Sequence, residues 1–198
     1  SFGFEVCDAA IPPNCDSATV QITIQPVNDA PTYTPGGGPL LVFEDSGEYV
    51  LDWASNISAG PANEGSQTVQ FIVTNNNNSL FSVQPAISET GTLRLTPAAN
   101  RYGQAQLSVV LQDNGGTDNG GVNSSLAQLV TVDIFPVNDA PSFTGGGNVS
   151  VMEDSGAQTI TGWATAISPG PNEASQSVLF VVIDNSNPDL FAALPEVS

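Results

Sequence analysis

The chain has 198 residues, with 20 Asp+Glu against 2 Lys+Arg and no His, a formal net charge of −18. Two bases cannot build the basic face that nucleic acid or an anionic membrane surface requires. With no His and only two Cys, zinc centres and His-based acid–base or nucleophilic catalysis fall away as well, leaving carboxylate and carbonyl oxygen, the ligands of hard cations such as Ca²⁺.

Reading from the amino terminus, Ser1–Val6 lacks the basic and apolar regions of a secretory leader. No later run approaches the ~18 apolar residues of a membrane-spanning helix, so membrane insertion is not expected. Cys7 and Cys15 flank Pro12-Pro13. If Asp8 ends one strand and Asp16 begins its partner, the two cysteines face each other. In a secreted protein they then form a disulfide; otherwise they are two partly buried thiols. Thr19–Ile24 alternates with Val20, Ile22 and Ile24 on one face, the half-buried strand pattern. P-V-N-D-A-P follows at Pro26–Pro31, then a turn cluster at Pro35–Pro39 and F-E-D-S-G at Phe43–Gly47. Next come W-A-S-N-I-S at Trp53–Ser58 and N-E-G-S-Q-T-V-Q-F at Asn63–Phe71. The apolar run Val69–Val73 suits a central strand. Alternation returns at Thr92–Thr96, Gln104–Leu111 and Leu129–Ile134, with turns at Asn75–Ser79, Pro97–Gly103 and Asp113–Ser125 between.

The series then starts again. P-V-N-D-A-P recurs at Pro136–Pro141, M-E-D-S-G at Met152–Gly156, W-A-T-A-I-S at Trp163–Ser168 and N-E-A-S-Q-S-V-L-F at Asn172–Phe180. Val178–Ile183 reads as another central strand. The frame is one complete repeat, residues 28–138. Residues 1–27 are the C-terminal strands of a preceding repeat, and residues 139–198 the N-terminal half of a following one. The incomplete repeats are expected to continue in a longer polypeptide or to be completed by neighbouring chains. Six or seven short strands per repeat and no helical period indicate an all-β protein of tandem Greek-key β-sandwich repeats.

These residues resemble the cadherin-like tandem repeats of large bacterial surface proteins, the type ending in V-N-D-A-P. The resemblance is carried by L-F-S-V (Leu80–Val83), G-T-L-R-L (Gly91–Leu95), L-S-V-V-L-Q-D-N-G-G (Leu107–Gly116) and V-D-I-F-P-V-N-D-A-P-S-F (Val132–Phe143). It implies a cadherin- or immunoglobulin-like sandwich, an extracellular location on a bacterial surface, and Ca²⁺ at the junctions between repeats. Asp29 and Asp139 take the place of the linker aspartates. Glu44 and Glu153 take that of the first-strand glutamate, and Asp113 and Asp8 that of the aspartate before the last strand. The resemblance thus implies that Asp29 meets Asp113 at one junction and Asp139 meets Glu44 at the next, with backbone carbonyls of Asn28 and Asn138 as further ligands. Asp45 and Asp154 follow the glutamates, and on a strand adjacent side chains face opposite ways. The chain departs from the pattern at Pro26 and Pro136, at Thr96–Asn100, which carries no acid, and at Ala59–Glu64, which keeps only Glu64, as the next repeat keeps only Glu173. One ion per junction is expected rather than three. The bland reading is that these Asp and Asn residues cap turns.

Three further features have two readings each. D-N-G-G-T-D-N-G-G at Asp113–Gly121 lacks the closing Glu and spacing of an EF-hand and reads as a long solvated hairpin loop. Trp53 and Trp163 at matching positions are core residues or, if exposed, a carbohydrate platform. Asn56, Asn77, Asn123 and Asn148 meet the N-x-S/T pattern. The leading function is a structural spacer or stalk in a secreted adhesin, partnered by neighbouring repeats of the same polypeptide or neighbouring chains and by a surface protein or glycan. A filament or surface-layer subunit and a glycan-binding module are the alternatives. No nucleophile–base set supports an enzyme.

Overall fold

The computed structural model describes residues 1–198. Every regular element is a strand or a short 3-10 turn, so the chain is all-β. Residues 2–7 (β1) and 15–20 (β2) form an antiparallel hairpin in which Cys7 opposes Cys15. A disulfide joins the two, closing the Pro-Pro loop. Every residue of both strands is exposed. β2 stops at Val20, short of the expected Ile24, because no neighbouring strand continues the ladder.

Nine strands between Thr32 and Phe135 make a two-layer sandwich. They are β3 (32–35), β4 (40–43), β5 (49–52), β6 (54–58), β7 (69–75), β8 (81–87), β9 (92–97), β10 (103–113) and β11 (128–135). One layer has the order β4-β11-β10-β7. The other holds β5-β9-β8, together with the β3-β6 pair that continues from β5 after Trp53. Nine strands appear in place of six or seven for a local reason. Gly36–Pro39 carries the first strand from one layer to the other, where β4 pairs parallel with β11, and Trp53 interrupts the next strand. Gly91 anchors that interruption: its carbonyl accepts the N–H groups of Trp53 and Ala54, both at 3.0 Å. Gly91 has φ +91°, and a Cβ there would overlap the Ala54 carbonyl.

The alternation becomes burial. β10 places Ala105, Leu107, Val109 and Leu111 inside, and β11 does so with Val130, Val132 and Ile134. All but Leu111 pack in one cluster with Leu93 and Leu95 of β9 and with Trp53, Leu80 and Phe81. All fifteen residues of this cluster lie between Leu40 and Ile134. Val69–Val73 falls in β7 at the edge of its sheet, not the centre. It buries only one face, Val69, Phe71 and Val73 in part, and leaves Ile72 to solvent.

After the second linker, β12 (142–145) pairs with β13 (164–168), repeating the β3–β6 pair down to its register shift. The edge-to-face stack of Tyr33 on Phe71, with centroids 5.1 Å apart, recurs as Phe143 on Phe180 at 5.0 Å. Val178–Ile183 forms no strand, since it has no partner corresponding to β10.

Candidate metal centre at the linkers

The linker Pro26–Pro31 lies against two loops of the complete repeat. At the end of β10, Asp113 Oδ1 accepts the Asn28 amide at 3.0 Å, and in the β10–β11 loop the Val122 carbonyl accepts a second Asn28 N–H at 2.8 Å. The Asn28 carbonyl takes the Val122 N–H at 2.9 Å. From the β6–β7 loop, Gln67 donates to Asn28 Oδ1 at 2.7 Å, and Glu64 Oε1 accepts the Asp29 N–H at 3.0 Å. Glycine makes the approach feasible, because a Cβ on Gly115 would overlap Asn28 Oδ1 and one on Gly60 would overlap Glu64 Oε2. Asp113–Gly121 is a hairpin loop exposed over Thr117–Gly120, as its sequence suggests, and its two ends also wall the linker site.

The second linker receives matching contacts from the following repeat. Glu173 Oε1 accepts the Asp139 N–H at 3.1 Å, and Gln176 donates to Asn138 Oδ1 at 3.0 Å. The complete repeat approaches from the other side. Glu44 Oε1 accepts the Val137 N–H at 3.0 Å, and Asp45 Oδ1 accepts the Asn100 N–H at 3.1 Å. The Asn172 amide donates to the Asn100 carbonyl.

The carboxylates at both linkers are half-satisfied. Glu44, Glu64 and Asp113 are 3%, 5% and 5% exposed. In each, one oxygen is hydrogen-bonded, while Glu44 Oε2, Glu64 Oε2 and Asp113 Oδ2 are buried without a partner. Glu173, only partly buried, repeats the pattern with Oε1 bonded and Oε2 unpartnered, whereas the Asp139 carboxylate accepts no hydrogen bond and its Oδ2 is buried. An uncompensated buried carboxylate is costly, and a positive charge is the usual compensation. Neither base provides it: Arg94 pairs with Glu48 at 2.9 Å in solvent, and Arg101 is exposed. The Asp139 carboxyl is held above its ordinary range, first by burial, then by the charges of Asp45 and Glu173. The residue is partly exposed as a whole, but its Oδ2 is shut off from solvent.

The all-oxygen donor set fits a hard cation, with amide and main-chain oxygens able to supplement the acids. The carboxylates are spread along the linkers rather than collapsed together. The one place where three His, Cys, Asp or Glu ligand atoms lie within 4.8 Å of one another is Glu5 with Cys7 and Cys15, whose thiols are joined in the disulfide.

The sequence-predicted residues fall into two groups. Asn28, Asp113, Glu44, Asn138 and Asp139 all take part in the linker contacts above. The side chain reaching Asp113 is that of Asn28, while the Asp29 carboxylate is exposed and makes no hydrogen bond. Asp8 caps the hairpin loop, accepting the N–H groups of Asn14 at 2.9 Å and Ala10 at 3.1 Å. Those bonds hold its carboxyl below the ordinary range. Glu153 is exposed in a turn.

Asp45 was expected to face away from Glu44, and it does not. β4 ends at Phe43 and Asp45 has φ +61°, so strand alternation no longer applies and its charge bears on Asp139. Gln67 and Gln176 were missed, although N-E-x-S-Q recurs at residues 63–67 and 172–176. Polar identity in a loop, where no core demands it, was the available signal.

No family model matches the chain. Among solved structures, EC22-24 of mouse cadherin-23 is similar at 17% identity with a TM-score of 0.46, over 73% of this chain and 45% of that one. The chain thus spans less than half the length of that structure.

Proposed function

We propose that the chain comprises structural spacer repeats of a long secreted surface adhesin, with one Ca²⁺ stiffening each junction between repeats. Glu64 and Asp113 would serve the first junction, and Glu44, Asp45, Asp139 and Glu173 the second, with amide and main-chain oxygens completing the shells. The carrying observation is the set of buried carboxylate oxygens without partners at both linkers, in a chain with only two bases. A hard cation supplies the missing charge; at the second linker its ligands come from both flanking repeats, and at the first they tie the linker to the repeat that follows, so bending is resisted at each.

Titration calorimetry and thermal melting in EDTA and in calcium test the reading. Binding accompanied by a rise in melting temperature is expected; no heat and no shift would overturn it. At a free calcium concentration of 100 Kd, linkage gives about 2.7 kcal/mol.

A filament subunit is the second reading. It draws on the apolar side chains of Phe2, Phe4, Val6, Val181 and Ile183, all exposed, which a neighbouring repeat would cover. Concentration-dependent sedimentation would favour it. The glycan reading loses its platform, since Trp53 is 3% exposed and Trp163 is half-buried.

A further inference from the structure

We infer that N-E-x-S-Q is a linker clasp, a side-chain device that docks the N-D-A-P segment onto the repeat that follows it without a cation. Two contacts define it. The glutamate takes the main-chain N–H of the linker aspartate, at 3.0 Å for Glu64–Asp29 and 3.1 Å for Glu173–Asp139. The glutamine donates to the side-chain oxygen of the linker asparagine, at 2.7 Å for Gln67–Asn28 and 3.0 Å for Gln176–Asn138.

The clasp is preset by its own backbone. Gln67 N–H bonds the Glu64 carbonyl at 2.9 Å and Gln176 N–H bonds the Glu173 carbonyl at 2.8 Å, a tight turn that aims both side chains at the linker. A glycine four or three residues before the glutamate, Gly60 or Gly170, leaves room for its second oxygen, which any Cβ would strike.

Recurrence separates the clasp from the sandwich. In the complete repeat it sits above a packed core, whereas in residues 139–198 only β12 and β13 are strands, yet both contacts form. Its geometry therefore needs the strand pair beside the linker and the tight turn, and not a closed sandwich. The two glutamate oxygens divide the work, Oε1 fixing the linker backbone and Oε2 left unpartnered toward the site. Gln67 and Gln176 are positioning residues that act through Asn28 and Asn138. The purpose of the clasp, a linker ordered before the ion arrives, rests on the spacer reading. Its contacts do not.

Amide hydrogen exchange of the 198-residue chain in EDTA tests it. The Asp29 and Asp139 amides should exchange about tenfold or more slower than an open chain, as expected for a hydrogen bond to a charged acceptor. Glu64→Ala should release Asp29 alone. Glu64→Gln, which keeps an accepting oxygen, should retain most of the protection while weakening any calcium response. Gln67→Leu should speed Asp29 exchange several-fold, with β10 amides unchanged as the folding control. Open-chain exchange at Asp29 and Asp139 in the wild type, or an unchanged rate in Glu64→Ala, would overturn the clasp. A missing calcium response with protection intact would instead overturn the proposed function alone.

Discussion

Asn28→Asp tests the linker site with a change of one atom type. The Asn28 amide donates to Asp113 Oδ1 at 3.0 Å and to the Val122 carbonyl at 2.8 Å, and accepts from Gln67 at 2.7 Å. A carboxylate in its place keeps the acceptor and loses both donors. The neutral bond is worth about 1 kcal/mol and the one to a charged acceptor about 2 kcal/mol. The substitution also sets two carboxylates at hydrogen-bond distance. Their repulsion is capped near 4 kcal/mol at neutral pH, because beyond that the introduced acid takes up a proton. Partial solvent access at Asn28 reduces the repulsion well below the cap. A total loss of about 4 kcal/mol follows, a fall of roughly 15 °C in the melting temperature of a sandwich this size.

The sign with pH is fixed. Two carboxylates at hydrogen-bond distance repel only while both are ionised, so the penalty is present at neutral pH and shrinks as protonation restores a donor. Melting by circular dichroism in EDTA, at pH about 7.5 and at pH about 4.5, close to the ordinary carboxylate range, should show the gap to wild type roughly halved at the lower pH. Calcium should narrow it at the higher pH. A variant melting within about 2 °C of wild type at neutral pH, or an equal gap at both pH values, would refute the reasoning.

Leu95→Ala removes a side chain with no exposure at the centre of the cluster; a loss of about 2–5 kcal/mol by chemical denaturation is expected, with the denaturant slope unchanged. Cys7→Ser with Cys15→Ser opens a hairpin whose strands are wholly exposed, so the main melting transition should move by no more than about 1 °C. The raised Asp139 carboxyl makes the docked second linker more favourable in chelator as pH falls from neutral through that raised value toward 3.8. Asp45→Asn should lower the Asp139 titration midpoint measured by carbon-detected NMR, and an unmoved midpoint would remove Asp45 from the junction.

Period-two alternation located β9, β10 and β11, because each buries one face against a single core. The apolar runs misplaced β7 and Val178–Ile183, since such a run states what could be buried and not which neighbour is present to bury it. The repeat phrase P-V-N-D-A-P marked both linkers, but the direction of nearby carboxylates was legible only where backbone geometry stayed regular. At Asp45 a left-handed residue reverses the strand rule. At Glu64 and Glu173 the partner is a main-chain N–H, which every residue but proline carries and which leaves no trace in composition. Asp8 shows the converse: its loop neighbours alone account for both bonded oxygens.

The parallel pairing of β4 with β11 bears on how the repeat carries load. The chain enters β4 from the side of one linker and leaves β11 toward the other, and the two strands run side by side from Leu40–Val132 to Phe43–Phe135. Tension through the linkers pulls them lengthwise past each other, so their hydrogen bonds are loaded in shear and must fail together rather than peel one at a time. Glu44 lengthens the patch at its exit end, its N–H bonding the Phe135 carbonyl at 2.9 Å and its carboxylate holding Val137. The residue that faces the junction is also the last rung of the element that bears the pull.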